Sequence, residues 1–81
     1  MMNEREKIAK RIVDLCEEKE MSYYKLSYCS AVPMTTLMHI INCRTQNPGV
    51  FTLSKICSGL GISIKEFFDT EEFRGIDYDT E

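Results

Sequence analysis

One histidine, His39, and four cysteines, Cys16, Cys29, Cys43 and Cys57, are the residues best suited to covalent or metal chemistry, and their spacing argues against both. The cysteines recur every 13 or 14 residues without a CxxC pair, which is not the clustering of a tetrahedral zinc site. Each lies among apolar or small residues, where a reduced thiol packs as a small hydrophobe. No Ser-His-Asp or Cys-His spacing is present, and the carboxylates fall in solvated runs with nothing to shift their pKa. The chain is expected to have no catalytic residues, no metal site and no cofactor.

The chemistry that remains is recognition. Between Ser22 and Thr45 the chain reads SYYKLSYCSAVPMTTLMHIINCRT, two short helical patterns with a turn signal between them. In the second pattern Leu37, Ile40 and Ile41 form an apolar stripe, leaving Met34, Thr35, Met38, His39 and Asn42 on the other sides. Uncharged side chains of mixed polarity at that spacing suit base edges and thymine methyl groups. Each has an ordinary reading too: His39 as an exposed helix residue, Met38 as packing or a dimer seam, and Tyr23, Tyr24 and Tyr28 as rim packing. Arg44, the one cation in the turn-rich NCRTQNPG segment, suits a phosphate.

Charge distribution strengthens this reading. The formal net charge of −3 is unfavourable for a nucleic-acid partner, because phosphate contacts dominate that affinity. From Met21 to Lys65, however, there are four bases and no Asp or Glu, in a chain with 13 acids. Anions are excluded from the middle of the chain and concentrated in its last segment, which carries seven acids from Glu66 to Glu81.

The elements that must position these residues are helices. Asn3 with Glu6 fits a capping box, so a first helix is expected from near Glu4 to Lys19 or Glu20, with Ile8, Ile12, Leu15 and Cys16 on its apolar face. On its charged face, Lys10 or Arg11 could approach a partner phosphate. Ser22 caps a second helix from Tyr23 to about Ser30, with Leu26 and either Cys29 or Ser30 facing inward. Pro33 suits the first turn of the third helix, at about residues 33–42. Val50, Leu53, Ile56, Cys57 and Leu60 mark a fourth helix closed by Gly61, and Gly59 either weakens its last turn or admits another backbone. Ser63 and Glu66 form a second capping box, opening a short fifth helix whose Phe67 and Phe68 cover the core.

Helical patterns joined by short connections give an all-α bundle, and 81 residues allow one small domain. We divide the chain into a domain over residues 1–69 and an acidic tail over 70–81, partly disordered or dimer-associated. No apolar run approaches the roughly 20 residues needed to cross a bilayer, and the charged N-terminus is unlike a secretory signal, so no membrane partner and a cytoplasmic location are expected.

The run YKLS…SAVPMTTLMHIINCRTQNPGVFTLSKICSGLGISIKEFF resembles the Xre/Cro family of bacterial and phage helix-turn-helix regulators, over about Glu4 to Phe68. Its most specific parts are VPxxTL…I, NxRTxNP and LxKI…LGISxxEFF, in that order and spacing. The resemblance implies a compact five-helix lambda-repressor-like bundle, usually dimeric on double-stranded DNA, with the third helix in the major groove. It implies base contacts from Met34, Thr35 and His39, and phosphate contacts from Tyr23, Lys25, Thr36, Asn42, Arg44 and Thr45. The family usually has glycine where this chain has Ala31 and Cys43, positions that need a left-handed backbone costing a non-glycine residue roughly 1 kcal/mol. A slightly re-shaped turn is therefore expected.

Two functions follow as expectations. The first is a sequence-specific DNA-binding transcriptional regulator, a repressor, acting as a homodimer. The alternative is a protein-interaction module or antitoxin-like regulator on the same fold, in which Met34, Met38 and the tail meet a protein partner. Phe51, Phe73, Ile76 and Tyr78 are the exposed apolar candidates for a dimer surface.

Overall fold

Asn3 opens the first helix as the sequence dictates: its side chain accepts the Glu6 amide at 2.9 Å, and the Glu6 carboxylate accepts the Asn3 amide at 3.0 Å. In this computed structural model, which describes residues 3–44 and 48–74, six helices follow one another. They are α1 (Glu4–Glu18), α2 (Tyr23–Ser30), α3 (Met34–Ile41), α4 (Val50–Leu60), α5 (Ile64–Phe68) and α6 (Glu71–Arg74). There is no strand among the described residues. Five of the helices are those expected from the sequence; α6 adds a single turn within the acidic segment.

The core is drawn from all of the first five. Ile12, Leu26, Leu37, Ile56 and Phe67 lose all contact with solvent, and Leu15, Val32, Ile40 and Leu60 pack around them. Removing one of these side chains to Ala costs about 2–5 kcal/mol by the usual sum of lost transfer energy and residual cavity. Cys16 and Cys57 lie in the same cluster, where burial pushes both thiols up from their ordinary pKa and keeps them protonated. Cys29 does not share that environment. It is exposed on α2, and Ser30 takes the inward position that the sequence left open between them.

α2 and α4 pack tightly because Gly59 has no side chain. A Cβ there would stand 2.9 Å from both the Cβ and the backbone nitrogen of Ser30, closer than real contacts allow. The glycine therefore admits another backbone.

Three helices end in the same way and with different residues. After α1, α3 and α4 the chain turns through a left-handed residue, Glu20 at φ 53°, Cys43 at φ 60° and Gly61 at φ 77°. Each is followed by an amide that reaches back to the helix: Met21 to the Cys16 carbonyl at 2.8 Å, Arg44 to that of His39 at 2.7 Å, and Ile62 to that of Cys57 at 3.0 Å. These are Schellman closures, for which glycine is the low-cost residue. Glu20 and Cys43 adopt the geometry without it.

Two of the α1 cations, Lys10 and Arg11, are engaged within the fold. Arg11 donates to the carbonyls of Phe67 at 2.7 Å and Glu66 at 2.8 Å, closing the C-terminal end of α5. Lys10 pairs with Asp14 at 2.7 Å and reaches Glu72 of α6 at 3.6 Å. Both thus have roles within the fold. The expectation for Phe73 is corrected: it is half-buried, edge-on to Phe68 at 4.8 Å between ring centroids, and so is not a free apolar surface. Ile76 and Tyr78 lie outside the described residues.

Candidate nucleic-acid interface

The turn between α2 and α3 decides which side of α3 faces outward. Ala31 closes α2 at φ 58° and ψ 30°, so the left-handed geometry is kept and the turn is not re-shaped to avoid it. Val32 then drops into the core. Two serine hydroxyls stitch the turn. Ser27 Oγ donates to the Val32 carbonyl at 2.7 Å, and Ser30 Oγ donates to the Ser27 carbonyl at 3.4 Å while accepting the Val32 amide at 3.3 Å. The sequence offered Ser30 as a candidate inward residue, but neither its hydrogen bonds nor the part played by Ser27 was foreseen. The available signal was hydroxyls three and five residues before Pro33 and Val32, since serine near a helix end tends to bond local backbone.

Pro33 stands at the N-cap position of α3, at φ −56° and ψ 144°, one residue earlier than expected. A cap residue must be extended, and proline satisfies that while offering no side-chain acceptor. The first amides of α3 accordingly have no side-chain cap, in contrast to α1, α2 and α5, where Asn3, Ser22 and Ser63 supply one. Leu37 and Ile40, fully or nearly fully buried, lock the inner face of α3.

The outer face follows from that anchoring. Thr35 and His39, four residues apart, lie on one exposed line, flanked by exposed Thr36 and by Asn42 just beyond the helix. Met34 stands at the margin, 39% exposed, and Met38 is half-buried. Arg44 is exposed and held one residue past the left-handed Cys43 by its amide bond to His39. On α2, Lys25 is exposed, whereas Tyr23 is half-buried and packs against the core. Thr45 lies outside the described residues. Among those described, Lys25, Arg44, Lys55 and Lys65 are exposed and form no ion pair.

Two short helices joined by a tight left-handed turn, with the second anchored on one face and presenting uncapped amides and uncharged side chains on the other, define a helix-turn-helix domain. The family model described as Cro/C1-type HTH DNA-binding domain matches residues 11–72, and the chain belongs to that family. It is a DNA-binding regulator, and DNA is its partner. No curated protein and no solved structure matches the chain significantly, so the assignment stands on the family model and on the geometry above. No helix among the described residues is long and apolar enough to cross a membrane.

Proposed function

We propose that the chain is a sequence-specific transcriptional repressor that reads the major groove of double-stranded DNA with α3. Base edges are met by Met34, Thr35 and His39. The phosphates are held by Tyr23, Lys25, Thr36, Asn42, Arg44 and Thr45, with the uncapped first amides of α3 adding donors at the positive end of its dipole. The observation that carries this reading is the outward line of Thr35 and His39 on a helix locked from behind by Leu37 and Ile40, in a segment without a single carboxylate.

The working unit is a homodimer, because one module of this size covers too little DNA for high affinity, and two-fold symmetry doubles the contacts. Residues 1–69 form the DNA-binding domain. The protein acts in the cytoplasm and without catalysis. It represses by occupying a site that overlaps a promoter.

Selection of bound duplexes from a random pool tests all of this. A palindromic consensus with half-sites about one helical turn apart is expected. If no sequence is enriched and no fragment is retarded at low salt, the DNA reading fails and the fold serves a protein partner instead.

A further inference from the structure

We propose that the cleft between the end of α1 and the start of α2 is an effector site for a small amphipathic ammonium compound. The cleft is broad and open, with a volume of about 550 Å³, within the range of ligand sites. Its floor and sides are apolar: Val13, buried Cys16, Met21 and Tyr23. Its rim carries two exposed carboxylates, Glu17 and Glu20, and among the described residues neither takes part in an ion pair.

The sign of the charge there is opposite to what the helix prefers. The last turn of α1 holds no basic residue, and although Lys19 caps it the segment Glu17 to Glu20 carries three acids against that one base, so the negative end of the dipole coincides with Glu17, and Glu20 follows in a left-handed conformation that glycine would adopt more easily. Acids at a helix C-terminus that violate the local rule, beside an apolar hollow, concentrate negative potential where a cation can also shed apolar surface. Two carboxylates are too few for a bare metal ion, which needs several oxygen ligands, and the apolar floor offers such an ion nothing. An ammonium on an apolar body of fragment size uses both parts of the cleft.

The cleft also stands at a boundary. Glu20 is the last acid before the 45-residue window without one, and Tyr23 on the cleft wall begins α2. Resting on the DNA reading above, a cation seated between Glu17 and Glu20 removes repulsion between these carboxylates and the phosphates approaching α2. Ligand and DNA therefore favour each other, by the same factor in either direction.

Phenethylamine, with 3-phenylpropanol as neutral and 3-phenylpropionate as anionic control, separates these claims. Amide NMR of the full chain without DNA should show saturable shifts at Val13, Cys16, Met21 and Tyr23 with the amine, and weaker or none with the controls. The Glu17→Gln, Glu20→Gln double variant should bind the amine about tenfold more weakly, the scale of two solvent-screened ion pairs. Val13→Trp, which fills the cleft from a half-exposed position, should also abolish the shifts while the remaining spectrum is kept. Equal shifts from all three compounds, or none at millimolar amine, would overturn the site. Saturating amine should then raise affinity for selected DNA about fivefold in the parent and not in the double variant. Amine binding without that gain overturns the coupling alone and leaves the site and the DNA reading standing.

Discussion

Side-chain cations tied into the fold are confined to one half of this molecule among the described residues. On the side of α1, α5 and α6, three cations are engaged and Arg5, Lys7 and Lys19 form no ion pair among the described residues: Lys10 is held by Asp14 and Glu72, Arg11 by the carbonyls of Phe67 and Glu66, and Arg74 by Asp69. Across α2 to the start of α5, Lys25, Arg44, Lys55 and Lys65 meet no carboxylate among the described residues. The same residue type holds the fold in one region and remains available to a polyanion in the other. Net charge conceals this division, because the acids that make the chain negative are neighbours of the first set and absent from the second.

The largest effect is expected from Arg11→Ala. It strips two charge-assisted hydrogen bonds from the end of α5, one partly buried and one exposed, which together should cost about 2 kcal/mol in urea unfolding. Corrected for the folded fraction, DNA affinity and its salt dependence should stay unchanged. A reduced salt slope would show that Arg11 belongs with the second set.

Arg44→Ala is the mirror experiment. Stability should stay within about 0.5 kcal/mol, as for most surface substitutions, while the slope of log affinity against log salt shrinks by roughly one. An unchanged slope would remove Arg44 from the proposed phosphate contacts.

A smaller effect sharpens the second region. Cys43→Gly relieves a left-handed backbone costing about 1–2 kcal/mol but brings a loss of chain entropy of about 0.5–1 kcal/mol, so a net gain near 0.5 kcal/mol is expected. Thermal melting is the measurement, and a lower Tm would mean that the Cys43 side chain packs more than its half-exposure suggests.

Lys10→Met should do least. The hydrogen bond and charge of Asp14, with Glu72 adding, hold the Lys10 ammonium above its ordinary pKa of 10.5. Since the folded value is the higher one, any stability from the pairing is fully present below the ordinary value of 10.5 and is lost as pH rises from there through the folded value. Melting curves of the variant and the parent should differ by the same near-zero amount from pH 7 to pH 9, because exposed pairs contribute little. A gap that opens within that range would contradict the raised pKa.

Much of this protein was readable before any coordinates. Both capping boxes, the presence of all five expected helices and the outward line of Thr35 and His39 follow from local spacing, because a cap involves residues three apart and a helix face repeats every 3.6. The tolerance of Gly59 for another backbone was also foreseeable as one of two options. The serine stitching of the turn was less so, since many serines near helix ends simply face water.

The order of the first five helices, their limits to within a residue or two, and a central segment free of acids are written in the local sequence. Only the tertiary structure decided which cations were spoken for, whether Cys29 or Ser30 turned inward, where Phe73 packed, and that Glu17 and Glu20 rim an apolar cleft. The reason is range. Helix caps and faces are set by neighbours a few residues away, whereas Arg11 finds its partners at Glu66 and Phe67, 55 and 56 residues along the chain. No local pattern encodes that meeting, because it exists only once α1 and α5 are packed together.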